Sequence, residues 1–107
     1  MIEAANRAVN RLEITGVVTE LQSLRYTPAG VPVVEFRLAH ASERSEAGAL
    51  RKVSAEIEAV AFEVQARLLA AGPMGRQLKA EGFLCAKNRR SRKPVLHVTN
   101  IEFMEGN

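Results

Sequence analysis

The chain contains no aspartate and no tryptophan, and it has a single cysteine. All twelve acids are glutamates, spread along 107 residues. Without aspartate there is no Asp-based metal cluster or catalytic triad. The two histidines, His40 and His97, are isolated and fall within strand-like stretches. No Cys/His spacing supports a metal, so both read as half-buried structural residues. A lone Cys85 excludes an internal disulfide and suits a reducing compartment. Its place in an alternating stretch predicts a packed thiol. Neither G-x-x-x-x-G-K-[ST] nor G-x-G-x-x-G is present to cradle phosphate. No apolar run approaches the ~18–20 residues of a membrane span. No basic-then-apolar signal opens the sequence, so the expected location is the cytoplasm. Glu56 and Glu58 could form a carboxylate pair, but a solvated strand face explains them. The expectation is a protein that is not an enzyme, with no catalytic residue, metal, cofactor or small-molecule substrate.

Aromatics are scarce as well: Tyr26, Phe36, Phe62, Phe83 and Phe103. The core must be built mostly of Val, Leu, Ile and Ala. Tyr26 is the best candidate for an exposed ring because a turn presents it. Phe83 and Phe103 read as core residues.

What the chain does have is concentrated positive charge. The net charge is only +3, but five of the seven residues from 87 to 93 are basic: Lys87, Arg89, Arg90, Arg92 and Lys93. No acid lies between Glu81 and Glu102. A basic tip between two alternating stretches suits a polyanion, and on a small β domain it reads as a nucleic-acid grip.

The length fits one domain. Residues 1–9 show no pattern and are expected to be a lead-in without fixed structure, with the domain covering 10–105. Asn10–Leu24 reads as a first strand, with Leu12, Ile14, Gly16 and Val18 on one face and a bend at Gly16. Tyr26–Gly30 is a Pro-x-Gly turn. Val31–Ala41 is a second strand with Val34, Phe36 and Leu38 on one face. Ser42–Gly48 is polar and reads as a loop. Leu50–Phe62 alternates as a third strand. Over Glu63–Ala71 the period becomes helical, with Val64, Leu68 and Ala71 in step, and Gly72-Pro73 ends it. Arg76–Ala86 and Pro94–Met104 are the fourth and fifth strands. Val17–Leu21 is a candidate edge for pairing with a second copy.

The predicted class is therefore all-β: a five-stranded OB-fold barrel with a short helix between strands three and four. In that plan the loops after strands one and four flank the binding face, so 87–93 falls on a binding loop.

Particular segments also resemble known proteins. Arg25-Tyr26-Thr27-Pro28-Ala29-Gly30 running into strand two, and the opening Asn10–Leu21, are similar to bacterial single-stranded DNA-binding proteins. Asn10-Arg11-Leu12, Gly16, Pro28-x-Gly30-x-Pro32, Glu46-Ala47-Gly48, Glu81-Gly82-Phe83 and Leu96-His97 together resemble a shorter group, the primosomal replication protein N (PriB) family. The missing tryptophan, and the missing Gly/Pro-rich tail after strand five, favour that group. The resemblance implies a cytoplasmic homodimer that binds single-stranded DNA and the restart helicase during DNA replication restart in the primosome. It carries basic site positions onto Lys87, Arg89, Arg90, Arg92, Lys93 and Arg25. Tyr26 joins them as the exposed ring. A base-stacking aromatic of the family falls near Ser54, and a basic residue near Ala41, so two expected contacts are missing. Alternatives left open are a general single-stranded DNA-binding protein, an RNA-binding OB module, and an adaptor whose basic loop contacts an acidic protein surface.

Overall fold

The computed structural model describes residues 8–72 and 74–104. Most of the expected lead-in over 1–9 lies outside the described residues. Six strands and one helix follow: β1 Leu12–Leu21, β2 Arg25–Tyr26, β3 Pro32–Glu46, β4 Ala49–Phe62, α1 Glu63–Ala71, β5 Gln77–Ala86 and β6 Pro94–Phe103. The sheet order is β1-β5-β6-β4-β3, closed by pairing of β1 with β3, and β2 is a two-residue edge on β3. This is the predicted five-stranded barrel. The β4–β6 pair is parallel and every other pair is antiparallel.

Alternation builds the interior. Val34, Phe36 and Leu38 of β3 point inward with Ala59 and Ala61 of β4, Leu78 and Ala80 of β5, and Leu96 and Val98 of β6. Small alanines between leucines let the barrel close with few aromatic rings. Burying each leucine is worth roughly 1.5–3 kcal/mol. The helix supplies Ala66 and Leu69 to this core, while Val64 and Leu68 remain exposed. The apolar spacing located the helix but not its buried face.

β1 serves two partners. Its first half pairs with β5 and its second half, from Val17 to Leu21, with β3. The stretch proposed as a free edge is thus used to close the barrel. At Gly16 the backbones of β1 and β3 come close, since a Cβ there would lie 2.5 Å from the Ala39 carbonyl oxygen, and the β1–β3 register slips between Val18 and Glu20.

The expected loop over 42–48 is mostly strand. β3 runs to Glu46, and the turn shrinks to Ala47 and Gly48, both with positive φ (53° and 80°). Two such residues make the tight hairpin turn whose twist matches the strands. The polar sequence misleads because this arm projects past the core. There, cross-strand pairing needs no apolar face, and Glu46 pairs with Arg51 instead.

Candidate nucleic-acid interface

The outer faces of β3, β4, β6 and β5 form one continuous surface. On it, Glu35 is opposite Val60, Val60 is level with His97, and His97 is opposite Phe83. Three rings stand in a row there. His97 stacks on Phe83 at 5.2 Å between centroids and 15° between planes, and on Phe62 at 6.3 Å and 26°. Phe62 is 38% exposed and Phe83 41%. The placement of Phe83 in the core is therefore overturned. Phe103 is half-buried against the core, with Arg76 over its ring at 5.1 Å.

Gly82 sets the position of Phe83. A Cβ on Gly82 would fall 1.9 Å from the His97 carbonyl oxygen, so only glycine lets β6 pass. The ladder slips by one residue there: Glu81 is level with Asn100, but Gly82 is level with Val98. Thr99 is the extra residue, and its hydroxyl donates to the Glu81 carbonyl at 3.1 Å. The bulge shifts parity in β6, so that Leu96 and Val98 before it and Ile101 after it all face the core. Beyond it β5 leaves the core, which also exposes Cys85 and corrects the expectation of a packed thiol. Upstream, the Asn10 side chain both donates to and accepts from the Leu84 backbone, at 2.7 and 2.9 Å. It extends the β1–β5 ladder past Leu12, which gives the Asn10-Arg11-Leu12 motif a structural task. Arg11 adds an ion pair to Glu81.

Beside the ring row lies a groove of about 500 Å³. Its lining includes Phe62, His97, Val60 and Val95, the acids Glu20, Glu35 and Glu58, and Gln22, Arg37, Lys87 and Asn88. Arg37 sits 3.7 Å from Glu20, 3.7 Å from Glu56 and 3.8 Å from Glu58. The charges on this wall largely cancel one another.

The basic loop meets the groove at its own start, where Lys87 and Asn88 belong to the lining. Its neck is tied by the Lys87 N–H donating to the Lys93 carbonyl at 2.9 Å. Its tip is a turn in which Asn88 Oδ1 accepts from the backbone N–H groups of Arg90 and Ser91, at 2.9 and 2.8 Å. That side chain sets the turn in place of backbone regularity. The five cations are not equivalent. Lys93 Nζ donates to Glu58 Oε2 at 2.8 Å, and Lys87 Nζ lies 3.4 Å from Glu58 Oε1. The hydrogen bond from Lys93, followed by that from Lys87, holds the Glu58 carboxyl below the usual carboxylate range. Among the described residues, Arg89, Arg90 and Arg92 have no acid within ion-pair distance.

The other predicted positions sit apart from this loop. Arg25, on β2, is ion-paired with Glu35 at the near edge of the groove. Tyr26 is 55% exposed on the same short strand, where it pairs with Pro32, and it does not line the groove. Ser54 and Ala41 face each other across β3 and β4 out on the projecting arm. The residues missed in the sequence are Phe62, Phe83, His97 and Glu58. Phe62 was legible, because it shares strand parity with Glu56 and Glu58 rather than with the core residues Ala59 and Ala61.

Comparison with known proteins agrees with this architecture. Residues 10–100 match the model of a family described as another single-strand binding protein family. The Nitrosomonas europaea protein named replication restart protein PriB is 42% identical over 95 residues, covering 89% of this chain and 88% of that protein. The Bordetella pertussis protein of the same name is 40% identical, with 92% of each covered. A crystal structure of PriB from Ralstonia solanacearum superposes with a TM-score of 0.81 at 34% identity, covering 92% of this chain and all of that one. The single-stranded DNA-binding protein of Thermus aquaticus shares the fold, with a TM-score of 0.74 at 23% identity, and this chain spans 52% of it. Sequence, barrel and relatives agree, and the chain belongs to the replication restart protein PriB family, within the single-strand binding proteins.

Proposed function

We propose that this protein binds single-stranded DNA as a non-enzymatic accessory factor of replication restart. It acts in the cytoplasm as a homodimer and delivers the strand to a restart helicase. One observation carries the DNA-binding part: a loop whose Arg89, Arg90 and Arg92 have no acid partner among the described residues joins, through Lys87 and Asn88, a groove lined by the stacked Phe62 and His97. Phosphates take the arginines, and unstacked bases take the rings and the apolar floor. That pairing of a cationic track with aromatic faces is the way OB-folds hold single strands. Duplex offers no free base faces, and the one helix among the described residues packs on the core, not where it could enter a major groove.

The test is a titration of fluorescent single-stranded DNA, duplex DNA and RNA of equal length at several salt concentrations. Single strands should bind more tightly than duplex. The slope of log K against log salt should be roughly −2, from about −0.7 for each of three phosphates. Replacing Arg89, Arg90 and Arg92 together by alanine should abolish most of the affinity while the melting transition stays in place. Equal affinity for duplex, or a triple variant that binds like the parent, overturns the proposal. Equal affinity for RNA would move the reading to an RNA-binding module.

A further inference from the structure

Glu58 lies on β4, almost thirty positions before the basic loop in sequence, yet it meets both ends of that loop. Each carboxylate oxygen faces one lysine: Oε1 faces Lys87, and Oε2 accepts from Lys93. The two lysines flank the backbone hydrogen bond that closes the loop's neck. Arg37 approaches the same carboxylate from β3, at 3.8 Å. The Glu58 side chain is only 21% exposed, against 48% and 55% for the two lysines. The acid is therefore the fixed member of the cluster, and the lysines fold down onto it.

We propose that Glu58 is a positioning residue that decides which cations of the loop meet phosphate. It retains Lys87 and Lys93 at the barrel wall, and it leaves Arg89, Arg90 and Arg92 as the phosphate-binding set. This rests on the single-strand reading given above and adds a selectivity within it. A carboxylate held by two ammonium groups gives up neither without being left partly uncompensated, so a passing phosphate competes poorly for them. The same negative charge, next to Val60 and His97 on the groove wall, keeps the phosphate backbone towards the loop tip and leaves the rings to the bases. Arginine at the tip and lysine at the neck fit this division. The guanidinium fork matches phosphate oxygens two at a time, whereas an ammonium serves as a point charge for one carboxylate oxygen.

Glu58→Gln tests the proposal, because it keeps the shape and one acceptor while removing the charge. With a fluorescent oligothymidylate, the variant should bind several-fold more tightly than the parent at low salt. Its salt slope should steepen by about 1.4, from about 0.7 for each lysine released. Lys87→Gln/Lys93→Gln in the parent should leave the slope unchanged, and in the Glu58→Gln background it should remove the gain. Glu58→Gln with an unchanged slope or weaker binding overturns the proposal. So does a parent slope that falls when the two lysines are replaced, and this measurement decides by itself if Glu58→Gln fails to fold. A parent that does not bind single strands at all would instead refute the functional reading, so the two failures are distinguishable.

Discussion

Phe83 shows how strand parity overrides residue type. By composition a phenylalanine belongs inside. It shares parity with Lys79 and Glu81, opposite to the buried Leu78, Ala80 and Gly82, and so stands on the outer face against His97. Two predictions belong at this scale. Phe83→Ala should weaken single-strand binding by an amount equivalent to roughly 1–3 kcal/mol if one base stacks there. Its salt slope should match the parent's, since stacking releases no counterions, and titration of both proteins at two salt concentrations reads this. Gly82→Ala should cost stability, not only binding. Its Cβ meets backbone, which cannot rotate away as a side chain would. Overpacking of this kind costs roughly 1–3 kcal/mol or more, which would appear as a lowered denaturation midpoint. The outward face of Phe83 was legible as parity, since it alternates with Leu78, Ala80 and Gly82 on β5, but the burial preference of phenylalanine pointed the other way. The row itself was not legible, because it joins side chains from β4, β5 and β6. Ser54 shows the converse. Its departure from the family pattern was legible, but the ring row that stands elsewhere on this surface was not. Ser54 lies eight residues from Phe62 along β4, roughly 26 Å away at about 3.3 Å per residue.

The strands, their order and the helix bounds followed from alternation and from turn residues, because those depend on neighbours in sequence. The arm of β3 and β4 did not, since its polar residues pair with each other and not with a core. The basic loop was legible as a cluster of charge, but its compensation by Glu58 was not, because that contact joins distant elements. This contact makes the loop sensitive to acid. The folded Glu58 carboxyl lies below its ordinary value, near 4.3, because of Lys93 and then Lys87, with burial opposing them. The stabilisation of the loop is therefore complete above the ordinary carboxylate value. It is lost as pH falls through the lowered one. Amide exchange at Lys87, whose N–H closes the neck, should accelerate below about pH 4 relative to barrel amides, after correction for intrinsic rates. In Glu58→Gln that additional acid step should be absent. Lys79 behaves in the opposite sense. Glu102, then Glu13, raise it above the ordinary lysine value and tie β5 to both of its neighbours. That contribution is full below the ordinary value, about 10.4, and disappears as pH rises through the higher folded one.

Closing the barrel does not use every strand edge. Among the described residues, β1 pairs only with β5 between Leu12 and Gly16, and β3 pairs only with β4 from His40 to Glu46. The two strands part at Gly16 and Ala39. The His40 ring fills the start of the gap, with Nδ1 2.7 Å from the Thr15 carbonyl oxygen and Nε2 2.8 Å from Ser42 Oγ. Beyond it, neither edge has a further strand partner among the described residues. Exposed edges of this length are templates for further pairing, and a two-fold partner covers them with identical strands. The edge available for this is the first half of β1, not Val17–Leu21, which the barrel itself consumes. A dimer built there would carry two basic loops and two ring rows. Once one site holds a strand, the second would see it at a high effective concentration. An oligomer long enough to reach both sites should then bind much more tightly than one of half the length, by more than the doubling expected from site number alone. Sedimentation at micromolar concentration should give twice the chain mass. Thr15→Pro should shift it towards the monomer, although this variant also threatens the β1–β5 ladder and needs a melting control. A protein that sediments as a monomer, yet still gains steeply from longer oligomers, would show that one barrel tracks the strand over more of its surface than the groove and loop described above.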